Sequence, residues 1–189
     1  MIEKRDPEPA GSPAGQAAAD DCVFTTARLR VRRWRASDHP SLMAVYGDAD
    51  AMRWVGDGRP LTEEECRSWL EVTRRNYRQR GYGMFAVESR QTGEVVGFCG
   101  LVHPGGQKEA EAKYAYARAY WGQGIATEVM AGLIRYGASV HGLEHIIATA
   151  DPENLASHRV LEKSGMTRGE LRDEDDGTRS VVFDWRSGK

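Results

Sequence analysis

Seven consecutive residues, Trp121-Gly122-Gln123-Gly124-Ile125-Ala126-Thr127, carry the clearest chemical signal in the chain. A strand-like run ending near Ala117 precedes them and an apolar-periodic run starting near Ile125 follows, so two glycines stand where a strand turns into a helix. The first backbone N–H groups of a helix have no partner within it, and the helix dipole adds positive potential at the same point. Glycine lets the main chain take positive φ and approach a ligand closely. Such a turn binds phosphate without any basic side chain. Glycines before helices also occur for purely structural reasons, so the turn alone leaves both readings open. A dinucleotide fingerprint does not fit: its third glycine position holds Thr127, the preceding segment is polar and tyrosine-rich, and only one such unit occurs.

Other reactive residue types offer less. His158 neighbours Ser157 but points off a different helix face, which argues against a nucleophile–base pair. His103 lies in a loop with Pro104, Gly105 and Gly106 and reads as a surface residue. Arg159 and Lys163 fit a solvated helix face as well as a phosphate contact. Cys22, Cys66 and Cys99 are odd in number and widely spaced, so neither a disulfide framework nor a metal site can be read from them. A reduced, cytoplasmic chain without a metal is expected.

Composition limits the remaining classes. With 26 Lys and Arg against 28 Asp and Glu, the net charge of -2 supplies no global field for nucleic acid or an anionic membrane. Anion recognition must therefore be local. No apolar run approaches the roughly 20 residues of a membrane helix. The 189 residues, 40% hydrophobic, suit one domain. Residues 1–22, rich in Ala, Pro, Gly and acids, read as a flexible tail, leaving 23–189 as the folded unit.

The elements that must position the loop follow from periodicity. Val23–Trp34 alternates as a first strand, with Arg28, Arg30 and Arg32 on its polar side. Ser37 and Asp38 cap a helix carrying Leu42, Val45 and Tyr46, and the pattern breaks over Asp48–Gly58. Thr62 and Glu65 form a capping box ahead of a second helix with Cys66, Trp69, Leu70, Thr73 and Tyr77 on its stripe, ending near Gly81. Gly83–Glu88 and Glu94–Leu101 form a hairpin, and Ala110–Ala117 is a further strand. The loop then opens a helix whose Ile125, Val129, Leu133, Ile134 and Val140 cover one face. A strand at His145–Ala150, a helix from Asn154 to Ser164 closed by Gly165, and a hairpin of Met166–Arg172 with Ser180–Trp185 complete the order βααββ, βαβαββ.

Two ordered motifs resemble the GNAT superfamily of N-acetyltransferases. Trp121 to Ala126 is similar to the loop written Gln/Arg-x-x-Gly-x-Gly/Ala, matching at Gly124 and Ala126, with Trp121 in place of Gln or Arg. That departure resembles the Rim-type subgroup, which includes acetyltransferases of ribosomal-protein N-termini. Asn154-x-x-Ser157-x-Arg159 through Gly165-Met166 and Thr26-x-Arg28-Leu29-x-Val31-Arg32 extend the likeness over residues 24 to 185. The resemblance implies an α/β (α+β) fold: a mixed, mostly antiparallel sheet of about seven strands flanked by about four helices, its fourth and fifth strands splayed. It implies acetyl-CoA as cosubstrate, with a primary amine, either a protein or peptide N-terminus or a small molecule, as acceptor, and a possible homodimer. Trp121, Gly122, Gln123, Gly124, Ile125, Ala126 and Thr127 are expected to hold pyrophosphate, and the backbone of Ala115, Tyr116 and Ala117 the pantetheine arm.

The chemistry implied is direct attack by the amine in a ternary complex. An ammonium must first lose its proton, and amines titrate near ~10, so an acceptor is needed at neutral pH. Glu111, before Tyr114, matches the family's strand-four glutamate and is expected as base, through water. The N–H of Tyr116 is the expected oxyanion donor. Many members place a tyrosine on helix four as acid, but Leu161 stands there, so Ser157 becomes the candidate, with Asn154 contacting pantetheine amides. Trp54, Trp69 and Tyr82 are expected to line the acceptor side. A non-catalytic acyl-CoA-binding module would share the loop and Asn154.

Overall fold

The computed structural model describes residues 21–174 and 177–188. The tail expected at residues 1–22 lies outside them except for Asp21 and Cys22. The described residues form one eight-stranded sheet. Its strands are β1 (Cys22–Thr25), β2 (Leu29–Arg32), β3 (Met84–Ser89), β4 (Val95–Val102), β5 (Ala110–Tyr116), β6 (His145–Ala150), β7 (Thr167–Asp173) and β8 (Arg179–Arg186). They lie in the order β1-β2-β3-β4-β5-β6-β8-β7, and all pairs are antiparallel except β5 with β6.

Among the described residues, five α-helices accompany the sheet: α1 (His39–Tyr46), α2 (Ala49–Met52), α3 (Glu63–Arg80), α4 (Ile125–His141) and α5 (Leu155–Lys163). Ile125, Val129, Met130, Leu133 and Ile134 of α4 and Leu161 of α5 join one buried cluster with Val87, Leu101, Ala112, Ala148 and Phe183. Leu42, Val45 and Tyr46 of α1, Met52 of α2 and Cys66 of α3 form another with Met84, Ala86, Phe98 and Ala115. Alternation along the strands sends neighbouring side chains to opposite layers.

Several sequence expectations change. The single first strand is a hairpin, β1 and β2, because Thr26 turns the chain: its N–H donates to the Leu29 carbonyl and its hydroxyl accepts from the Leu29 N–H. No glycine or proline marks that turn. The broken stretch after Gly47 contains α2, capped by Asp48, whose carboxylate accepts from the N–H groups of Asp50 and Ala51. Val140 is 63% exposed rather than on the packed face of α4. Gly137 is buried instead, so close to the sheet that an added Cβ would meet Leu101 at 2.9 Å. The Thr62–Glu65 capping box forms as expected, and Gly165 after α5 takes a positive φ of +96°.

Arg32, expected on the polar side of its strand, is 3% exposed. Its Nη1 and Nη2 donate to Asp38 at 2.8 and 2.9 Å and its Nε to Glu88 at 2.7 Å. Asp38 thereby ties the start of α1 to β2, instead of capping α1 with its side chain. Burial pulls the Arg32 pKa down, but its bonds and charge interactions with Asp38 and Glu88 outweigh that and raise it. Removing one member of a buried ion network leaves the others uncompensated. Arg32→Met is expected to cost about 3 kcal/mol of unfolding free energy, read from the urea midpoint.

Candidate active site

The loop between β5 and α4 has the geometry its glycines suggested. Gly122 and Gly124 have φ of +73° and +74°, and Gly124 is the N-cap of α4 with no side chain to cap it. The N–H groups of Ile125, Ala126 and Thr127 open the first turn without a hydrogen-bond partner among the described residues. The α4 carboxylate Glu128 does not reach them; it faces the β1–β2 turn, accepting from the Thr26 hydroxyl at 2.5 Å, the Arg28 N–H at 2.9 Å and Arg28 Nε at 2.6 Å. The same guanidinium donates through Nη1 to the Gln123 carbonyl at 2.9 Å, and Gln123 Nε2 donates to the Ala119 carbonyl at 2.8 Å. Arg28 is half exposed, so a cation stands beside the glycine turn with its position set.

β5 and β6 pair at only two positions, Ala110 with Ile146 and Glu111 with Ile147, and then part. The Ala117 N–H donates to the Val96 carbonyl on the β4 side. Backbone groups alternate between the two neighbours of a strand, so Ala115 also faces β4, while those of Tyr114 and Tyr116 face the gap. The Trp121 indole N–H bends back to the Tyr116 carbonyl at 2.8 Å, tying the loop to the end of β5.

Two side-chain groups flank this gap, one on each face. Toward α4 and α5, the Tyr114 hydroxyl meets Ser157 Oγ at 2.7 Å. Burial pushes the Tyr114 phenol up to about 12, against a smaller lowering by Ser157. Asn154 caps α5, accepting the Ser157 N–H at 3.1 Å, which sets the first turn that carries Ser157. His158 points elsewhere, with Nε2 at 2.9 Å from the Asp151 carbonyl.

On the opposite face, shared with α1 and α3, Glu111 is 1% exposed. Its Oε1 pairs with Lys113 Nζ and accepts the Thr149 hydroxyl at 2.5 Å, and its Oε2 accepts Gln107 Nε2 at 3.3 Å. Lys113 Nζ also donates to Thr149 Oγ1 at 3.1 Å. The network continues into the loop before β5: His103 Nδ1 lies 2.9 Å from the Gln107 carbonyl and so carries the proton, leaving Nε2 to accept from the Tyr82 hydroxyl at 3.0 Å. His103 is thus half buried and bonded at both nitrogens. Trp69 packs edge-on against Tyr46 in the layer of α1 and α3, and Trp54 stacks under Arg53.

The structure therefore gathers the loop, Tyr116, Asn154, Ser157 and Glu111 around one opening. Sequence reasoning missed Arg28, Glu128, Lys113 and Thr149, and used Tyr114 only as a landmark. Arg28 and Glu128 carry a faint signal, a Thr-x-Arg strand and a glutamate in the first turn of the loop helix. Lys113 and Thr149 carry none, because only folding brings residues 36 apart in sequence together. Among the described residues, no cluster of three or more His, Cys, Asp or Glu is placed to hold a metal.

A sheet parted between two neighbouring strands, with a glycine turn and a bare helix N-terminus at the opening, defines a GNAT-type acyltransferase architecture. Residues 28–167 match the acetyltransferase (GNAT) domain model, and the chain belongs to that family. It is 32% identical over 146 residues to YkkB of Bacillus subtilis, covering 76% of this chain and 84% of that one. An acetyltransferase of the GNAT family from Bacillus anthracis superposes with a TM-score of 0.75 at 24% identity, over 88% of this chain and 99% of the other. RimL, a ribosomal L7/L12 alpha-N-protein acetyltransferase solved with coenzyme A, gives 0.74 at 17% identity, over 88% and 98%.

Burial would raise the Glu128 carboxyl, but its hydrogen bonds to Thr26 and Arg28 hold it below the ordinary 4.5. A depressed folded-state pKa gives stability that is complete above the unfolded value and is lost as pH falls through the folded one. The Tm difference between the wild type and Glu128→Gln is accordingly expected to be full above about pH 5 and to shrink on acidification below it, followed by calorimetry across pH. A pH-independent difference would remove the ionised clamp.

Proposed function

We propose that the protein transfers an acetyl group from acetyl-CoA to a primary amine by direct attack in a ternary complex. The observation that carries this reading is the coincidence of two unpaired backbone surfaces at one opening: the first-turn N–H groups of α4, and the gap-facing edge of β5 beyond its last pair with β6. The first suits a pyrophosphate and the second an amide-bearing arm laid beside a strand.

Of the loop Trp121 to Thr127, the backbone N–H groups from Gly122 onward bind the pyrophosphate, with Arg28 at its side, since the Trp121 N–H is engaged by the Arg118 carbonyl. Of Ala115 to Ala117, the backbone of Tyr116 and the neighbouring Tyr114 take the pantetheine, since the Ala117 N–H is engaged by Val96. Asn154 Nδ2 donates to a pantetheine amide while Oδ1 keeps its capping bond. The gap-facing N–H of Tyr116, already fixed in place, stabilises the oxyanion without reorganisation.

Glu111 accepts the proton of the incoming ammonium. Because its carboxylate is sealed from solvent, the Thr149 hydroxyl carries the transfer, taking a proton as it gives its own to Oε1. On the other face Ser157 protonates the departing thiolate and is resupplied by Tyr114, which its raised pKa keeps protonated at neutral pH. The likeness to Rim-type sequences favours a protein or peptide α-amine as acceptor; the family's scaffold serves small amines too, and the side chains of the site decide between them.

A thiol-release assay with acetyl-CoA against peptides, polyamines, amino acids and aminoglycosides tests the reading. Release that depends on an acceptor supports it, whereas CoA binding without transfer to any amine supports a non-catalytic binding module. Ser157→Ala is expected to lower kcat by about a hundredfold with little change in acetyl-CoA affinity, and unchanged turnover would eliminate it as acid. Glu111→Gln should flatten the alkaline-rising limb of the kcat/KM profile; an unaltered limb removes Glu111 from the proton path.

A further inference from the structure

Glu111 and Ile147 are the last paired residues of β5 and β6. The next side chains on the same face are Lys113 and Thr149, and they bond to each other across the opening at 3.1 Å. Lys113 Nζ therefore lies at the vertex of the gap, paired with the buried Glu111 carboxylate while its side chain is 41% exposed. A primary amine, a carboxylate able to take its proton and a hydroxyl to orient it are held together by the fold itself. These are the groups that an amine acceptor brings to, or finds in, an acyl-transfer site.

We propose that Lys113 is an internal acyl acceptor: in the absence of an external amine, its ε-nitrogen takes the acetyl group from acetyl-CoA. The inference rests on the acyl-transfer reading above, which brings the thioester into the same gap. The ammonium first gives one proton to Glu111 Oε1. The freed lone pair forms the N–C bond to the acetyl carbonyl carbon, the C–S bond breaks, and the CoA thiolate leaves with the electron pair. The nitrogen then loses a second proton, which the thiolate takes through the surrounding hydroxyls, and Glu111 passes its own outward through the Thr149 hydroxyl. The products are N-acetyl-Lys113 and CoA thiol. Acetylation also removes the cation facing Glu111, leaving that carboxylate only Thr149 and Gln107 as partners.

Attack within one molecule is independent of protein concentration, whereas labelling of one molecule by another or by reagent alone does not select this site. The full chain is incubated with acetyl-CoA and no other amine, and its peptides are read by mass spectrometry. The expected result is one acetyl group on Lys113, gained with first-order kinetics unchanged on dilution of the protein, well ahead of Lys108 and Lys163. Lys113→Arg, which keeps a cation beside Glu111, should gain none at that position. Glu111→Gln should slow the labelling by about a hundredfold. An unmodified Lys113 in protein that acetylates an added amine overturns the inference and leaves the acyl-transfer reading standing. Equal labelling of Lys108 and Lys163 overturns it as well, as reagent chemistry. No thiol release and no acetylation of Lys113 or of any added amine sinks both.

Discussion

Two neighbouring parallel strands that pair at two positions and then separate set the terms for everything around them. β6 is held along its other edge by β8 from His145 to Ala150, and β5 by β4 from Glu111 to Tyr116, so neither strand can swing over to close the opening. Backbone groups that would have paired across it need other partners, since an unpaired buried N–H or C=O is costly. Part of that demand is met internally, by the Trp121 indole at the Tyr116 carbonyl. The rest is a ready edge for an extended ligand.

Polar side chains from both layers flank the opening. Lys113 meets Thr149 on one face and Tyr114 meets Ser157 on the other, so each side of the opening carries its own polar group. Charge sits on the face shared with α1 and α3, where Glu111, Lys113 and Gln107 interlock. Neutral hydroxyls occupy the face of α4 and α5. A proton taken on one side and delivered on the other is a natural division for a reaction that deprotonates a nucleophile and protonates a leaving group.

A net charge of -2 leaves local features, not a global field, as the source of positive potential. At the loop the bare helix N-terminus supplies oriented N–H groups and a dipole, and the Arg28 guanidinium beside it takes its direction from Glu128 and the Gln123 carbonyl. The clamp also joins α4 to the first hairpin, so the loop is held from a part of the chain about a hundred residues away in sequence. Arg32, Asp38 and Glu88 perform a comparable joining for α1, with Arg32 and Asp38 buried and Glu88 partly so.

Sequence alone determined what depends on neighbours along the chain. The glycine turn into α4, the capping box of α3, the positive-φ glycine after α5 and the hairpin of β3 and β4 all rest on local dihedral and hydrogen-bond preferences, and all are present. Two spaced motifs were enough to name the family. What failed was also local in origin: the Thr26 turn lacks glycine or proline, and Val140 obeys a helical period whose packed position Gly137 takes by close approach to the sheet. Only the tertiary structure decided that Glu111 is buried beneath Lys113 and Thr149, that Arg32 lies inside, and that Arg28 stands at the loop. Each of those placements pairs charges or hydroxyls from different strands, and the Coulomb and hydrogen-bond energies that settle them depend on distance in space, for which spacing in sequence holds no record.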